Sequence, residues 1–273
     1  MDMARRPGIF VDLSEVGQGP PVVLVHSSVS GNRQWKKLGA LIGDCYRVLA
    51  PNLTGYGATP PWHGDRPLTL DDAAAVVLAV CATLEGPIRL VGHSWGGALA
   101  LAAAHRLGPK VSHLALYEPM LRGLLAAHGR HEAWLETEAI FADVRRFTAA
   151  GRWHDLGRRF TDYFGGDGAW DATSPARQDA VAAMIPPNVH EWDAASPPIA
   201  ADAFGGVRAQ VLLMCGSVTR RALRDTADVL RERFPHWQYE DIPGCGHMAP
   251  LSEPERINPR IASFLNMPAH RGR

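Results

Sequence analysis

Ile88-Arg89-Leu90-Val91-Gly92-His93-Ser94-Trp95-Gly96-Gly97-Ala98 is the stretch of this 273-residue chain from which the fold can be read. It sets G-x-S-x-G between an apolar run predicted as a strand, Ile88 to Gly92, and a small-residue run predicted as a helix, Gly96 to Leu107. A sharp strand-to-helix turn forces the serine into a strained backbone conformation and crowds the positions two before and two after it. Gly92 and Gly96 remove the side chains that would clash there. Gly97 and Ala98 let the helix pack close to the sheet. The turn lifts the Ser94 hydroxyl toward a helix N-terminus, whose dipole favours developing negative charge. A glycine-serine turn can be a mere connector, but this strand-and-helix context points to Ser94 as a nucleophile.

On either side, short apolar strands alternate with helical patterns. Pro21 to His26 is a β-branched run, and Arg33 to Ile42 carries Trp35, Leu38, Leu41 and Ile42 at helical spacing. Tyr46 to Ala50 reads as a strand, and Asp71 or Asp72 starts a helix running to about Leu84. Val111 to Tyr117 is a further strand. This order predicts a parallel sheet covered by helices on both faces. The pattern breaks between about Met120 and Gly206, where helical spacing continues without a strand. Prolines at 186–187 and 197–198 mark joints in that stretch. Strand and helix then resume as Ala209 to Cys215, Arg221 to Phe234, Trp237 to Ile242 and Pro254 to Leu265. The expected organisation is an α/β core formed by 1–119 and 207–273, with a helical cap inserted at 120–206.

Composition bounds the function. Lys and Arg number 28, equal to Asp and Glu, so no global field favours nucleic acid or anionic lipid. Basic pairs such as Arg145-Arg146 and Arg158-Arg159 read as solvated helix faces. The four cysteines, Cys45, Cys81, Cys215 and Cys245, form no CxxC pair, which predicts reduced thiols in a cytoplasmic protein rather than a metal site or disulfide framework. Met1 to Asp12 has a basic pair but no apolar core of a secretory signal. The longest apolar run, Ala73 to Leu84, is far too short to span a membrane. The expected partner is a small-molecule substrate, with no cofactor, metal, nucleic acid or membrane; homo-oligomerisation stays open.

A serine hydroxyl needs a base, because its own pKa leaves it a poor nucleophile at neutral pH. Of twelve histidines, His247 follows the last predicted strand in the loop Pro243-Gly244-Cys245-Gly246-His247-Met248. The C-terminal ends of parallel strands share one edge of the sheet, so this loop and the Ser94 turn should face each other. The loop that begins at Ser27 and Ser28 ends the first parallel strand. It can offer a backbone N–H to an oxyanion, together with the N–H of Trp95. His26 is read as holding that loop in shape, and His93 as a packing residue.

The segments HSSVSG, NLTGYGATP, GHSWGG and GCGHMAP, in that order, resemble the α/β-hydrolase superfamily, and the likeness covers nearly the whole chain outside the cap. It implies an α/β-hydrolase fold with a mostly parallel eight-stranded sheet. It also implies Ser94 as nucleophile, His247 as base, and Ser28 and Trp95 as oxyanion donors. Ser27 departs from the glycine usual after the loop histidine, and Asn52 from the usual aspartate.

The third member, a carboxylate to hold the imidazole, departs further. The family's usual acid position, just after Val211 to Cys215, is occupied by Thr219. Some related hydrolases place the acid after the preceding strand, where this chain has Glu118. Glu118 is thus the first candidate; Asp225, or no acid at all, are the alternatives.

The expected activity is cleavage of an ester or related acyl bond through an acyl-Ser94 intermediate. Carbon–carbon bond hydrolysis, lactone opening, thioester cleavage and perhydrolysis use the same groups, and a non-catalytic ligand receptor is a second class. Trp134, Trp153, Phe160, Tyr163, Phe164 and Trp192 either line an apolar pocket or form the core of the cap.

Overall fold

A computed structural model describes residues 9–268; the basic pair Arg5-Arg6 of the N-terminal segment lies outside them. The chain runs through β1 (Leu13–Val16), β2 (Pro21–Val25), α1 (Lys36–Ile42), β3 (Arg47–Pro51), α2 (Leu70–Ala82), β4 (Ile88–His93), α3 (Trp95–Leu107) and β5 (Val111–Tyr117). Five helices follow: α4 (Arg122–Ala127), α5 (His131–Ala149), α6 (Trp153–Gly165), α7 (Pro175–Met184) and α8 (Asn188–Ala195). The chain then returns as β6 (Gln210–Gly216), α9 (Arg221–Arg233), β7 (Gln238–Ile242), α10 (Ala249–Ser252) and α11 (Pro254–Leu265).

The strands lie in the order β1-β3-β2-β4-β5-β6-β7. All neighbours are parallel except β1, which pairs antiparallel with β3. The sheet has seven strands among the described residues, not the expected eight. Six of the strands are expected from the sequence, five of them as apolar runs and the sixth, Gln238–Ile242, as a mixed polar one. The seventh, Leu-Ser-Glu-Val at the edge, is largely exposed and shows no apolar run.

The central strands are buried on both faces for most of their length, which explains their largely β-branched and aliphatic character. Along β2, Val23 and Val25 face one core with α2 and α3, while Val22 and Leu24 face the other with α1 and α11. Thr69 caps α2 and closes a capping box with Asp72. The chain passes outward from β2 to β3 and then returns to β4 on the other side of β2, so the sheet reverses its winding between β2 and β4. Side chains at the C-terminal ends of those two strands therefore border a crevice.

Candidate active site

The Ser94 turn is built at the end of β4. Ser94 has φ 55° and ψ −122° and precedes α3 directly. A Cβ at Gly92 would collide with the Gly96 carbonyl, and one at Gly96 with the carbonyls of Val25 and His26. The two glycines thus let turn, helix and neighbouring strand approach each other. Among the described residues only three non-glycine residues have positive φ: Val29, Ser94 and Glu118. They stand at the ends of β2, β4 and β5. Such conformations cost roughly 1–3 kcal/mol each and persist where surrounding structure over-determines them.

The structure brings Ser94, His247 and Glu118 together. Ser94 Oγ lies 2.9 Å from His247 Nε2, and His247 Nδ1 lies 2.7 Å from Glu118 Oε2. All three side chains are buried. A neutral imidazole carrying its proton on Nδ1 would donate to Glu118 and accept from the serine hydroxyl. Glu118 Oε1 also accepts the Gly216 N–H at 2.7 Å, and Oε2 accepts the Thr219 hydroxyl at 2.8 Å. The Cys215 thiol approaches Oε1 at 3.6 Å. Asp225 sits on α9 within the field of Arg130, and the partner of His247 Nδ1 is Glu118.

Ser28 lies in the loop after β2, and Trp95 opens α3 at the end of β4. Neither backbone N–H has a hydrogen-bond partner among the described residues, whereas the adjoining amides of Ser27, Val29 and Ser94 are all engaged. Two donors therefore remain free beside the hydroxyl, as an oxyanion requires.

The alpha/beta hydrolase family model matches residues 22–260. The chain belongs to that family. This alpha/beta hydrolase is 26% identical to 2-hydroxy-6-oxo-2,4-heptadienoate hydrolase of Pseudomonas putida over 278 residues, covering 96% of this chain and 95% of the relative. It is also 26% identical to lipase LipV of Mycobacterium tuberculosis over 280 residues, covering 94% and 99%. An esterase from Exiguobacterium antarcticum shares the fold with a TM-score of 0.77, at 18% identity over 97% of this chain and 98% of that one.

The hydrolase accommodates its departures from the family pattern with compensating bonds. Ser27 gives both its N–H and its hydroxyl to Gln34 Oε1. Asn52 accepts the Asn32 N–H and donates to Asp12, a pairing that an aspartate could not make without facing a second carboxylate. His26 donates from Nδ1 to the Ser27 carbonyl and accepts the Leu53 N–H, and burial lowers its pKa to about 4. It is a neutral brace for the loop. His93 bridges Gln34 and the His247 carbonyl, and burial holds its pKa well below the ordinary value.

Gln34 is the site residue that the sequence reading missed. One side-chain amide ties the Ser27 loop to His93 and, through it, to the backbone of His247. A glutamine in a short helical turn carries no local signal of such a role. Tyr117 adds a second tie, donating to the Gly246 carbonyl at 2.8 Å.

Helices α4 to α8 close over this edge of the sheet. The Phe164 ring, at the end of α6, lies over the His247 imidazole with centroids 4.6 Å apart. Phe160 and Phe164 line a cavity of about 190 Å³ beside Ser27 and Ser28. Another cavity, of about 230 Å³, lies between Trp95 and the α7–α8 junction. Trp134 instead packs on the Arg122 guanidinium, and Trp192 stacks on Phe141, so these two serve the packing of the inserted helices.

Proposed function

We propose that this chain is a serine hydrolase that cleaves an ester or related acyl bond of a small to medium, largely apolar substrate. The observation that carries this reading is the continuous line from Ser94 Oγ to His247 Nε2 and from His247 Nδ1 to Glu118 Oε2, beside two unengaged N–H groups. Ser94 Oγ attacks the acyl carbon as its proton passes to His247 Nε2. The N–H groups of Ser28 and Trp95 hold the oxyanion; one such donor is worth about 3–4 kcal/mol. The tetrahedral adduct collapses, the leaving oxygen takes the proton from His247, and an acyl-Ser94 ester remains. Water then repeats the sequence and releases the acid. Glu118 keeps the imidazole in the required tautomer and balances its transient positive charge.

Carbon–carbon bond hydrolysis by the same groups is the second reading, supported by the likeness to a hydrolase named for a dienoate. Parallel assays of short p-nitrophenyl esters and a dienoate β-ketone analogue, each with wild type and Ser94→Ala, decide between them. The ester reading expects ester turnover and fluorophosphonate labelling that both vanish in Ser94→Ala. Turnover that survives the substitution would refute it.

A further inference from the structure

Glu191 is a buried carboxyl that the mechanism above does not use. It lies on α8, only 3% exposed, and forms no ion pair among the described residues. Oε2 accepts one hydrogen bond, from the Asn188 amide at 3.1 Å. Oε1 has no partner, although the hydroxyls of Ser28 and Tyr56 stand close enough to interact with the carboxyl. The side-chain oxygen Oδ1 of Asn188 is likewise buried and unpaired. A buried carboxyl with no cation beside it is costly even with these neighbours, and a residue needed only for packing would be served better by leucine or glutamine.

The place of this group gives it a purpose. Among the described residues, Glu191 and His190 are the only titratable side chains lining the 230 Å³ cavity, whose walls are otherwise largely apolar, with Leu53, Trp62, Leu68 and Leu99 among them. Trp95, which follows the nucleophile, forms one wall, and the oxyanion residue Ser28 stands beside the carboxyl. No lysine or arginine among the described residues lines the cavity. An apolar chain with one polar end fits such a space.

We propose that Glu191 is a specificity-determining residue: the cavity between Trp95 and α8 takes the acyl chain of the substrate, and the Glu191 carboxyl hydrogen-bonds a hydroxyl group carried on that chain while rejecting a carboxylate. Burial raises the Glu191 pKa to about 7, so both protonation states are populated at neutral pH. A hydroxyl suits either state, since it donates to the anion and accepts from the acid. Once Glu191 is ionised, above its raised pKa, a substrate carboxylate meets like charge with no cation among the described lining residues to offset it. The acyl assignment rests on Ser94 being the acyl-forming nucleophile; the hydroxyl selectivity does not.

The test compares kcat/KM at about pH 8.5, where Glu191 is ionised, for p-nitrophenyl hexanoate, 6-hydroxyhexanoate and hydrogen adipate in wild type, Glu191→Gln and Glu191→Leu. Substrate ratios are read, so a general loss of activity cancels. Wild type should favour the hydroxyacyl ester at least tenfold over hexanoate and disfavour the adipate ester at least tenfold. Glu191→Leu should reverse the first ratio, and the isosteric Glu191→Gln should raise the adipate-to-hexanoate ratio at least tenfold. Ratios unchanged in both variants would overturn the proposal while leaving the ester reading intact. A second arm needs no turnover: quenching of tryptophan fluorescence by hexane-1,6-diol, hexan-1-ol and adipate. If no ester is cleaved but diol binding exceeds hexanol binding and that preference is lost in Glu191→Leu, the ester reading fails and the subsite stands. Equal affinity for diol and hexanol in wild type would overturn the subsite.

Discussion

Thr219 donates its hydroxyl to Glu118 Oε2, the same oxygen that lies 2.7 Å from His247 Nδ1. The loop after β6 thus contributes a donor to the carboxylate rather than the carboxylate itself. The Gly216 N–H reaches the other oxygen, so Glu118 is gripped on both sides by the end of β6. Its backbone is held in the left-handed region at φ 43°, which aims the longer glutamate side chain across the strand ends.

Glu118→Gln is expected to keep the shape of this junction but to lose the negative charge and favour the wrong imidazole tautomer. A fall in kcat on the order of 10³–10⁴-fold is expected, by analogy with other triads. Asp225→Asn, on a surface helix, should change it by about twofold or less. Steady-state kinetics on one ester measures both; the reverse order would assign the acid to Asp225.

Thr219→Val removes one hydrogen bond to a charged acceptor, an interaction worth about 1.5–3 kcal/mol. The expected result is a kcat about tenfold lower with KM little changed, and recovery in Thr219→Ser. A purely structural threonine would show neither the selective kcat effect nor the recovery.

Glu191 links pH to stability. Its pKa is raised from 4.5 to about 7 by burial, so the folded state holds a proton that the unfolded chain releases between those values. Stability from this group is complete below pH 4.5 and is lost as pH rises through 7. The loss amounts to about 3 kcal/mol. Glu191→Gln should therefore gain stability relative to wild type between pH 4 and pH 8 by roughly that amount, as measured by urea denaturation. A stability difference that stays constant over this range would place the carboxyl in ordinary solvent contact.

Gly96→Ala tests the elbow. The added methyl meets the carbonyls of Val25 and His26, neither of which can retreat without moving β2. A destabilisation of about 1–3 kcal/mol is expected from overpacking. Ester turnover should fall with it, because the displaced segment leads into Ser28. Calorimetry and kinetics on the same preparation would reveal both effects, and an unchanged Tm would show that the turn has room to spare.

Much of this protein follows from its sequence alone. Ile88 to Ala98 determined a strand, a strained turn and a helix, because clash and burial act within a few residues. Apolar runs likewise announced five of the seven strands, and the break after Met120 marked where helices replace the sheet. Only the tertiary structure decided which carboxylate meets His247, since Glu118 and Asp225 differ in where strand order and register carry them rather than in local pattern. It also decided the roles of Gln34 and Thr219, whose partners lie 59 and 101 residues away, and the burial of Glu191. Hydrogen bonds and dielectric surroundings over such separations depend on how strands are ordered and helices are laid across them, and no local periodicity encodes that arrangement.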